Sequence, residues 1–99
     1  MRYFMTFSYD GSNFKGYQKQ PNVRTVQEEL EKVLKQIDDN KEVEVHASGR
    51  TDAGVHAMNQ KAHFDMKIEI TEDKLQLAMN SLLPDDIYIK KVEFVSDDF

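Results

Sequence analysis

The spacing of apolar residues along this chain switches repeatedly between the period of a strand and the period of a helix. Alternating side chains over residues 2–10 indicate a first strand with two distinct faces. A helix follows the capping box at residues 25–28, in which the Thr25 hydroxyl can accept from the Glu28 N–H. The apolar residues at helical spacing are Val26, Leu30, Val33, Leu34 and Ile37. The polar run at residues 38–40 ends this helix.

The second half of the chain repeats the switch between periods. Residues 43–48 alternate apolar and polar side chains, which predicts a second strand. Residues 58–66 do the same with Met58, Ala62 and Phe64 on one face, which predicts a third. Residues 87–95 form the fourth strand, with a bulge or an exposed edge where the alternation fails at Lys90 and Lys91.

A second helix is predicted between the third and fourth strands. Thr71 is a suitable N-cap, and Pro84 ends the helix because the ring disfavours helical backbone before it. The side chains predicted on its buried face are Leu75, Ala78, Met79, Leu82 and Leu83.

The element order is therefore βαββαβ. This is the ferredoxin-like arrangement of the α+β class: a four-stranded antiparallel sheet with two helices on one face. Residues 1–99 are enough for a single domain. RNA-recognition modules, small phosphatases and metal carriers share this architecture, so the fold leaves the function open.

Composition narrows the possible functional classes further. The chain has no cysteine, which excludes a disulfide scaffold and thiolate metal sites and fits a reducing cytoplasm. No apolar run reaches transmembrane length, and the N-terminus lacks a signal-peptide layout, so no membrane partner is expected. A net charge of −5 argues against a generic nucleic-acid binder. The first 27 residues nevertheless carry four cationic side chains against one carboxylate, so one face could still meet phosphate.

The strongest catalytic candidate is Asp52, in the run of residues 49–57. It lies between Gly49 and Gly54 and two residues from Arg50. Glycine allows close backbone approach, and an ionised carboxylate can act as a nucleophile or a base. An aspartate in such a turn can equally be a turn-former bonded to backbone N–H groups. Arg50 could pair with Asp52, contact phosphate or form a weak surface ion pair.

The loop at residues 9–18 interleaves aromatic side chains with glycine and lysine. Aromatic faces stack on bases and lysines neutralise phosphate, so the pattern suits contact with RNA. The alternative interpretation is that Phe14 and Tyr17 fill the core. The spacings between His46, His56 and His63 match no known metal site, so we expect no metal. No Walker-type glycine-lysine string is present, which disfavours nucleotide binding.

Several strings resemble, in order, the TruA family of tRNA pseudouridine synthases. Residues 49–57 match the signature string of that family, and the resemblance covers essentially the whole chain. Tyr17 stands where the family more often has tryptophan. The other matching residues are Tyr9, Asp10, Gly11, Phe14, Gly16, Gln18, Thr25, Val26, Gln27, Glu29, Leu30, Asn59, Gln60, Ala62, His63, Phe64, Asn80, Leu83, Pro84, Asp86 and Ile87.

The resemblance implies that uridine is converted to pseudouridine at positions 38, 39 and 40 of the tRNA anticodon stem-loop, without cofactor or metal. Asp52 corresponds to the catalytic aspartate and would attack C6 of the base or C1′ of the ribose. Arg50 would displace or hold the flipped nucleotide, with Thr51 beside it at the RNA. Weaker candidates for phosphate contacts are Lys15, Lys19 and Arg24.

Family members are longer, have a second similar half and form homodimers. The resemblance therefore implies an N-terminal domain that is inactive or very weak alone, whose sheet lacks neighbours and favours self-association. A non-catalytic RNA-binding module of the same fold is the alternative, but Phe4 is the only aromatic on its face of the first strand. A phosphatase would need a phosphate cradle with a placed arginine. Replacing Asp52 separates the enzyme from the module.

Overall fold

Four strands and two helices form along residues 1–96 and 98, the part of the chain that the computed structural model describes. In chain order they are β1 (Arg2–Tyr9), α1 (Val26–Ile37), β2 (His46–Ala47), β3 (Ala57–Asp65), α2 (Glu72–Leu82) and β4 (Ile87–Val95). A short 3-10 turn, Gly11–Asn13, follows β1. The predicted βαββαβ order is confirmed. No helix in this part of the chain is long and apolar enough to cross a membrane.

The strands form one antiparallel sheet in the order β2-β3-β1-β4. The first strand therefore lies inside the sheet, where Tyr3 pairs with Phe64 on one side and with Phe94 on the other. The two edges are the short β2 and the long β4. This topology confirms the α+β ferredoxin-like class.

The core lies on one face of the sheet, because the odd-numbered side chains of β1 are buried and the even-numbered ones are not. The helices cover that face through the buried residues Val26, Leu30, Val33, Leu34, Leu75 and Met79. Full burial of one such side chain stabilises the fold by about 1.5–3 kcal/mol. The sheet and both helices share this single hydrophobic cluster, as expected for a small two-layer domain.

Helix α1 begins and ends at the residues that the sequence predicts. The Thr25 hydroxyl accepts from the Glu28 N–H at 3.4 Å. At the other end, Asp38 caps the helix, and Asp39 and Asn40 turn the chain with positive φ angles of 55° and 62°. The Asp38 carboxylate is buried and accepts the backbone N–H groups of residues 67 and 68 at 2.9–3.0 Å. It thereby fixes the end of α1 to the segment that follows β3.

The second strand is shorter than predicted. The alternation over residues 43–48 correctly marks Val43 and Val45 as buried, but only His46–Ala47 pairs with β3. The backbone of Val45 is bonded to α1 instead: its N–H donates to Glu31 at 2.9 Å and its carbonyl accepts from Gln27 at 3.4 Å. At Val45, side chains of α1 therefore take the place of hydrogen bonds to a neighbouring strand.

A bulge lies where the sequence indicates one. Thr6 pairs with Lys91 and Phe7 pairs with Ile89, so one extra residue of β4 stands at position 90. A second register shift follows between the pairings of Phe7 and Tyr9 with β3. That shift reverses which side chains at the start of β3 point toward the core. The alternation of residues in the sequence does not reveal this reversal.

Two apolar side chains that the sequence pattern groups with core residues are exposed. Met58 is 73% exposed, because it lies within the register shift between Ala57, which pairs with Tyr9, and Gln60, which pairs with Phe7. Leu82 is 45% exposed, because the buried face of α2 runs through Leu75 and Met79 and continues to Leu83. Leu82 is the last helical residue and faces away from that line.

Candidate active site

The loop at residues 49–57 leads from β2 into β3 and presents Asp52 to solvent. Its tip is a tight turn in which the Val55 N–H donates to the Asp52 carbonyl at 3.2 Å. Gly54 has a φ of 78°, a conformation that glycine adopts with little strain. The turn therefore projects a short acidic side chain from a compact backbone.

Residues of β1 and of the following loop hold the backbone on the N-terminal side of Asp52. The hydroxyls of Tyr9 and Thr51 share a hydrogen bond of 2.7 Å. The Thr51 carbonyl accepts from the Tyr17 N–H at 3.1 Å. Beyond the turn, the Gly54 N–H donates to the Phe14 carbonyl at 3.2 Å. The two loops that the sequence singles out separately are thus one packed unit.

Two glycines allow these loops to approach closely. A Cβ at Gly11 would lie 1.9 Å from the Val55 carbonyl oxygen, and one at Gly16 would lie 2.9 Å from the Thr51 carbonyl oxygen. Gly16 also has a positive φ of 93°. Any larger residue at either position would force the loops apart.

His56 joins the same assembly through its Nδ1 atom. That nitrogen accepts from the Gly11 N–H at 2.9 Å and lies 3.1 Å from Asp10 Oδ1. Hydrogen bonds from the Ser12 hydroxyl and the Ser12 N–H lower the pKa of Asp10. His56 therefore has a place in the loop packing, which its spacing from the other histidines does not suggest.

Asp52 and Arg50 do not form the ion pair that their spacing permits. Both are exposed, and neither side chain has a hydrogen-bond or ion-pair partner among residues 1–96 and 98. Arg50 lines a polar pocket of about 280 Å³ together with Tyr17, Gln18 and Gln27. The turn thus carries one free carboxylate and one free guanidinium.

The three other candidate cations are placed differently from one another. Lys15 is exposed and has no ion-pair partner in the described part of the chain. The Lys19 ammonium lies 3.6 Å from a carboxylate oxygen of Glu31. The role of both in phosphate contact stays a prediction.

Arg24 is held in an ion pair. Its guanidinium donates to both carboxylate oxygens of Asp86, at 2.9 and 3.1 Å, and lies 3.3 Å from Glu29. It also stacks over the Phe14 ring at 4.1 Å. The bond to Asp86 raises the pKa of Arg24. Contact of this cation with phosphate, also still a prediction, would compete with Asp86.

Phe14 and Tyr17 belong to the core. Phe14 is 2% exposed and Tyr17 is 3% exposed, which fits the packing interpretation of their loop. The Tyr17 hydroxyl is buried without a hydrogen-bond partner in the described residues, and burial raises its pKa. The backbones of the same two residues bond to Thr51 and Gly54, so the buried rings connect the 49–57 loop to the core.

Among residues 1–96 and 98, no group of three or more histidine, aspartate or glutamate side chains could hold a metal ion. The expectation that the reaction needs no metal and no cofactor stays a prediction. The histidines at positions 46 and 63 stack on each other across β2 and β3 with ring centroids 5.0 Å apart.

A family described as tRNA pseudouridine synthase matches residues 5–98. The chain belongs to this family. It is 53% identical over 98 residues to "tRNA pseudouridine synthase A" of Streptococcus agalactiae, and 52% identical over 99 residues to the protein of that name in Staphylococcus carnosus.

The matches cover nearly all of this chain but only part of each relative. They span 99% and 100% of the chain, against 38% and 37% of the two relatives. A third protein of the same name, from Streptococcus mutans, is 50% identical over the whole chain and 40% of its own length. The chain therefore corresponds to about two fifths of these tRNA pseudouridine synthases.

Proposed function

We propose that this chain carries the catalytic aspartate of a tRNA pseudouridine synthase and that Asp52 is the nucleophile. The observation that carries the proposal is the exposed, unpartnered carboxylate of Asp52 on a turn whose backbone is held on both sides. Membership in the family supports the same assignment.

The reaction exchanges one bond of uridine for another. The bond between C1′ and N1 breaks, the base turns, and C5 joins C1′. The proton of C5 passes to solvent, and N1 takes up a proton. A carboxylate that adds to C6 or to C1′ can hold the fragment during the turn, because it forms a covalent bond that later breaks. Nothing is oxidised or reduced, so one well-placed carboxylate is sufficient.

The target nucleotide must leave its stack before this chemistry. Flipping costs a few kcal/mol and needs protein groups that replace the lost stacking. Arg50 is exposed two residues from Asp52 and is free to enter the stack, while Thr51 fixes the backbone between them. We propose that Arg50 holds the space left by the nucleotide or the flipped nucleotide itself.

Phosphate contacts would come from the cations beside this loop. Lys15 is the strongest of the three candidates, since it has no ion-pair partner in the described residues. Lys19 and Arg24 must first give up Glu31 and Asp86, respectively. We therefore expect alanine at Lys15 to weaken tRNA binding the most and to reduce its salt dependence.

We propose that the substrate is the tRNA anticodon stem-loop at positions 38–40 and that the full protein acts in the cytoplasm as a homodimer. Within the chain, β4 is a sheet edge of nine residues whose Tyr88 and Phe94 are 54% and 40% exposed. Exposed edge strands with apolar side chains favour association. Sedimentation that shows a strict monomer at high concentration would contradict self-association of the chain.

Tritium release from 5-tritiated uridine in an anticodon stem-loop RNA tests the proposal. The assay compares the chain alone with a chimera in which the chain replaces the matched 98 residues of the Streptococcus agalactiae relative. We expect no or weak release from the chain alone. In the chimera, Asp52→Ala should lower the rate by at least about 10³-fold while RNA binding is retained.

Asp73→Asn on α2 is the matched control, because Asp73 is also an exposed aspartate. It should leave the rate unchanged. Release that persists without Asp52 would refute the nucleophile. RNA binding by a chimera that releases no tritium, with Asp52 intact, would favour the non-catalytic RNA-binding module.

A further inference from the structure

The backbone sets the direction of the Cα–Cβ bond through which the Asp52 side chain leaves the loop. The carboxylate has no partner in the described residues, so no side-chain contact orients it. The neighbouring Thr51 is different, because its hydroxyl and its carbonyl are both bonded. Contacts at Thr51 therefore restrain the backbone from which Asp52 leaves the loop, together with the bond from the Val55 N–H to the Asp52 carbonyl.

Tyr9 supplies the side-chain contact at Thr51. It is the last residue of β1, is only 5% exposed, and packs its ring against Phe7 and Phe14. Its hydroxyl therefore projects from the rigid central strand and meets Thr51 Oγ1 at 2.7 Å. Removal of this hydroxyl leaves the ring packing intact but frees the Thr51 side chain.

The backbone contact at Thr51 comes from the next loop. Its carbonyl accepts the Tyr17 N–H, and the absence of a side chain at Gly16 allows the loops to approach. Tyr9 and Tyr17 thus hold the hydroxyl and the carbonyl of Thr51, respectively, from different segments of the chain. Loss of either bond would leave the peptide before Asp52 with one restraint.

We propose that Tyr9 is a positioning residue that aims Asp52 through the hydroxyl of Thr51. The inference rests on the proposed function, because it concerns the orientation of the same nucleophile. A displacement of about 1 Å at a reacting group can lower a rate by about 10²-fold, so even a modest loosening at Thr51 has a kinetic effect.

Amide hydrogen exchange in the chain itself tests the anchoring without any need for activity. The Tyr17 N–H reports directly, since it donates to the Thr51 carbonyl. In Tyr9→Phe, we expect this amide to exchange about five to ten times faster, because a part-buried hydrogen bond is lost. Thr51→Val should have the same effect, and Thr51→Ser, which keeps the hydroxyl, should stay close to the unmodified chain.

Tyr3→Phe is the matched control for folding. Tyr3 is a buried tyrosine on the same face of β1, and its hydroxyl is bonded to the backbone of Ile70 instead. It should destabilise the fold to a similar degree without a selective effect at the Tyr17 amide. Equal acceleration in Tyr3→Phe and Tyr9→Phe would refute the positioning role.

The kinetic arm uses single-turnover pseudouridine formation by the chimera described above. Tyr9→Phe should lower the rate of the chemical step by about tenfold and leave the tRNA Kd within about twofold, as expected for an effect on orientation. Tyr3→Phe should change neither quantity. A rate that is unchanged in Tyr9→Phe would overturn the proposal. If Tyr9→Phe selectively accelerates exchange of the Tyr17 amide but the unmodified chimera makes no pseudouridine, the result would count against the proposed function. It would still support the anchoring of Thr51 by Tyr9.

Discussion

The sharpest prediction concerns Gly11, whose Cα lies against the loop that carries Asp52. A Cβ at this position would lie 1.9 Å from the Val55 carbonyl oxygen and 2.5 Å from its carbonyl carbon. Atoms of this kind do not approach closer than 3.0 Å, so Gly11→Ala requires a displacement of at least about 1 Å between two backbones. Neither partner is a flexible side chain that could simply turn away.

The expected cost follows from that displacement. Forcing extra atoms into a packed contact costs about 1–3 kcal/mol, and the Gly11 N–H bond to His56 lies at the same place. We expect Gly11→Ala to lower the free energy of unfolding by about 2 kcal/mol, which for a domain of this size lowers Tm by roughly 10 °C. Urea denaturation followed by circular dichroism would measure it.

Gly49 and Gly54 of the 49–57 loop serve as comparisons for Gly11. They distinguish the cost of a steric contact from the cost of backbone strain. A Cβ at Gly49 would be 3.8 Å from the nearest atom, so Gly49→Ala should change stability by less than about 0.5 kcal/mol. Gly54 has open space around it but a φ of 78°, so Gly54→Ala should cost about 1 kcal/mol from strain alone. A Gly11→Ala protein as stable as Gly49→Ala would refute the close approach of the two loops.

Three further perturbations test other parts of the fold. Asp38→Asn should lower the free energy of unfolding by about 2 kcal/mol, because a buried carboxylate that accepts two backbone N–H groups is lost, and Asp39→Asn, at an exposed position, should have little effect in the same denaturation assay. Burial first, and then the charge of the stacked partner ring, lowers the pKa of His63 below its usual 6.5. The unfolded chain therefore binds more protons below about pH 6.5, so stability should fall as the pH drops from 7.5 to 5, and His63→Gln should flatten that slope. A double-mutant cycle of Arg24→Met and Asp86→Asn should give a coupling of about 1 kcal/mol that shrinks in about 1 M salt, and no coupling at low salt would contradict the ion pair.

Local sequence pattern predicts the elements well wherever the signal lies in consecutive residues. The cap at Thr25 and the break in alternation at Lys90 each act within a few residues, and both are where the pattern indicates. The predicted length of the second strand is wrong, because the Val45 N–H donates to Glu31 of α1 and not to a neighbouring strand. Competition between a ladder and a distant side chain leaves no local trace.

The candidate site also contains residues that the sequence identifies and contacts that only the structure reveals. The glycines and Asp52 of the 49–57 loop stand out in the sequence. The contact between Tyr9 and Thr51 does not, because the two residues are 42 positions apart. Arg24 shows the opposite case: its type and place suggest phosphate, yet the fold gives it a carboxylate partner from the far end of the chain. Only the tertiary structure reveals which charges are already neutralised.

The place of β1 inside the sheet has a consequence for the order of assembly during synthesis. Of the four strands, β1 comes first in the chain, and its residue Arg2 pairs with both Asp65 and Val95. It cannot gain both neighbours until β4, which ends at Val95, has left the ribosome. Such long-range pairing makes folding slow and keeps an apolar strand uncovered in the nascent chain. The most buried strand of the sheet is therefore the one that stays longest without its hydrogen-bonding partners during synthesis.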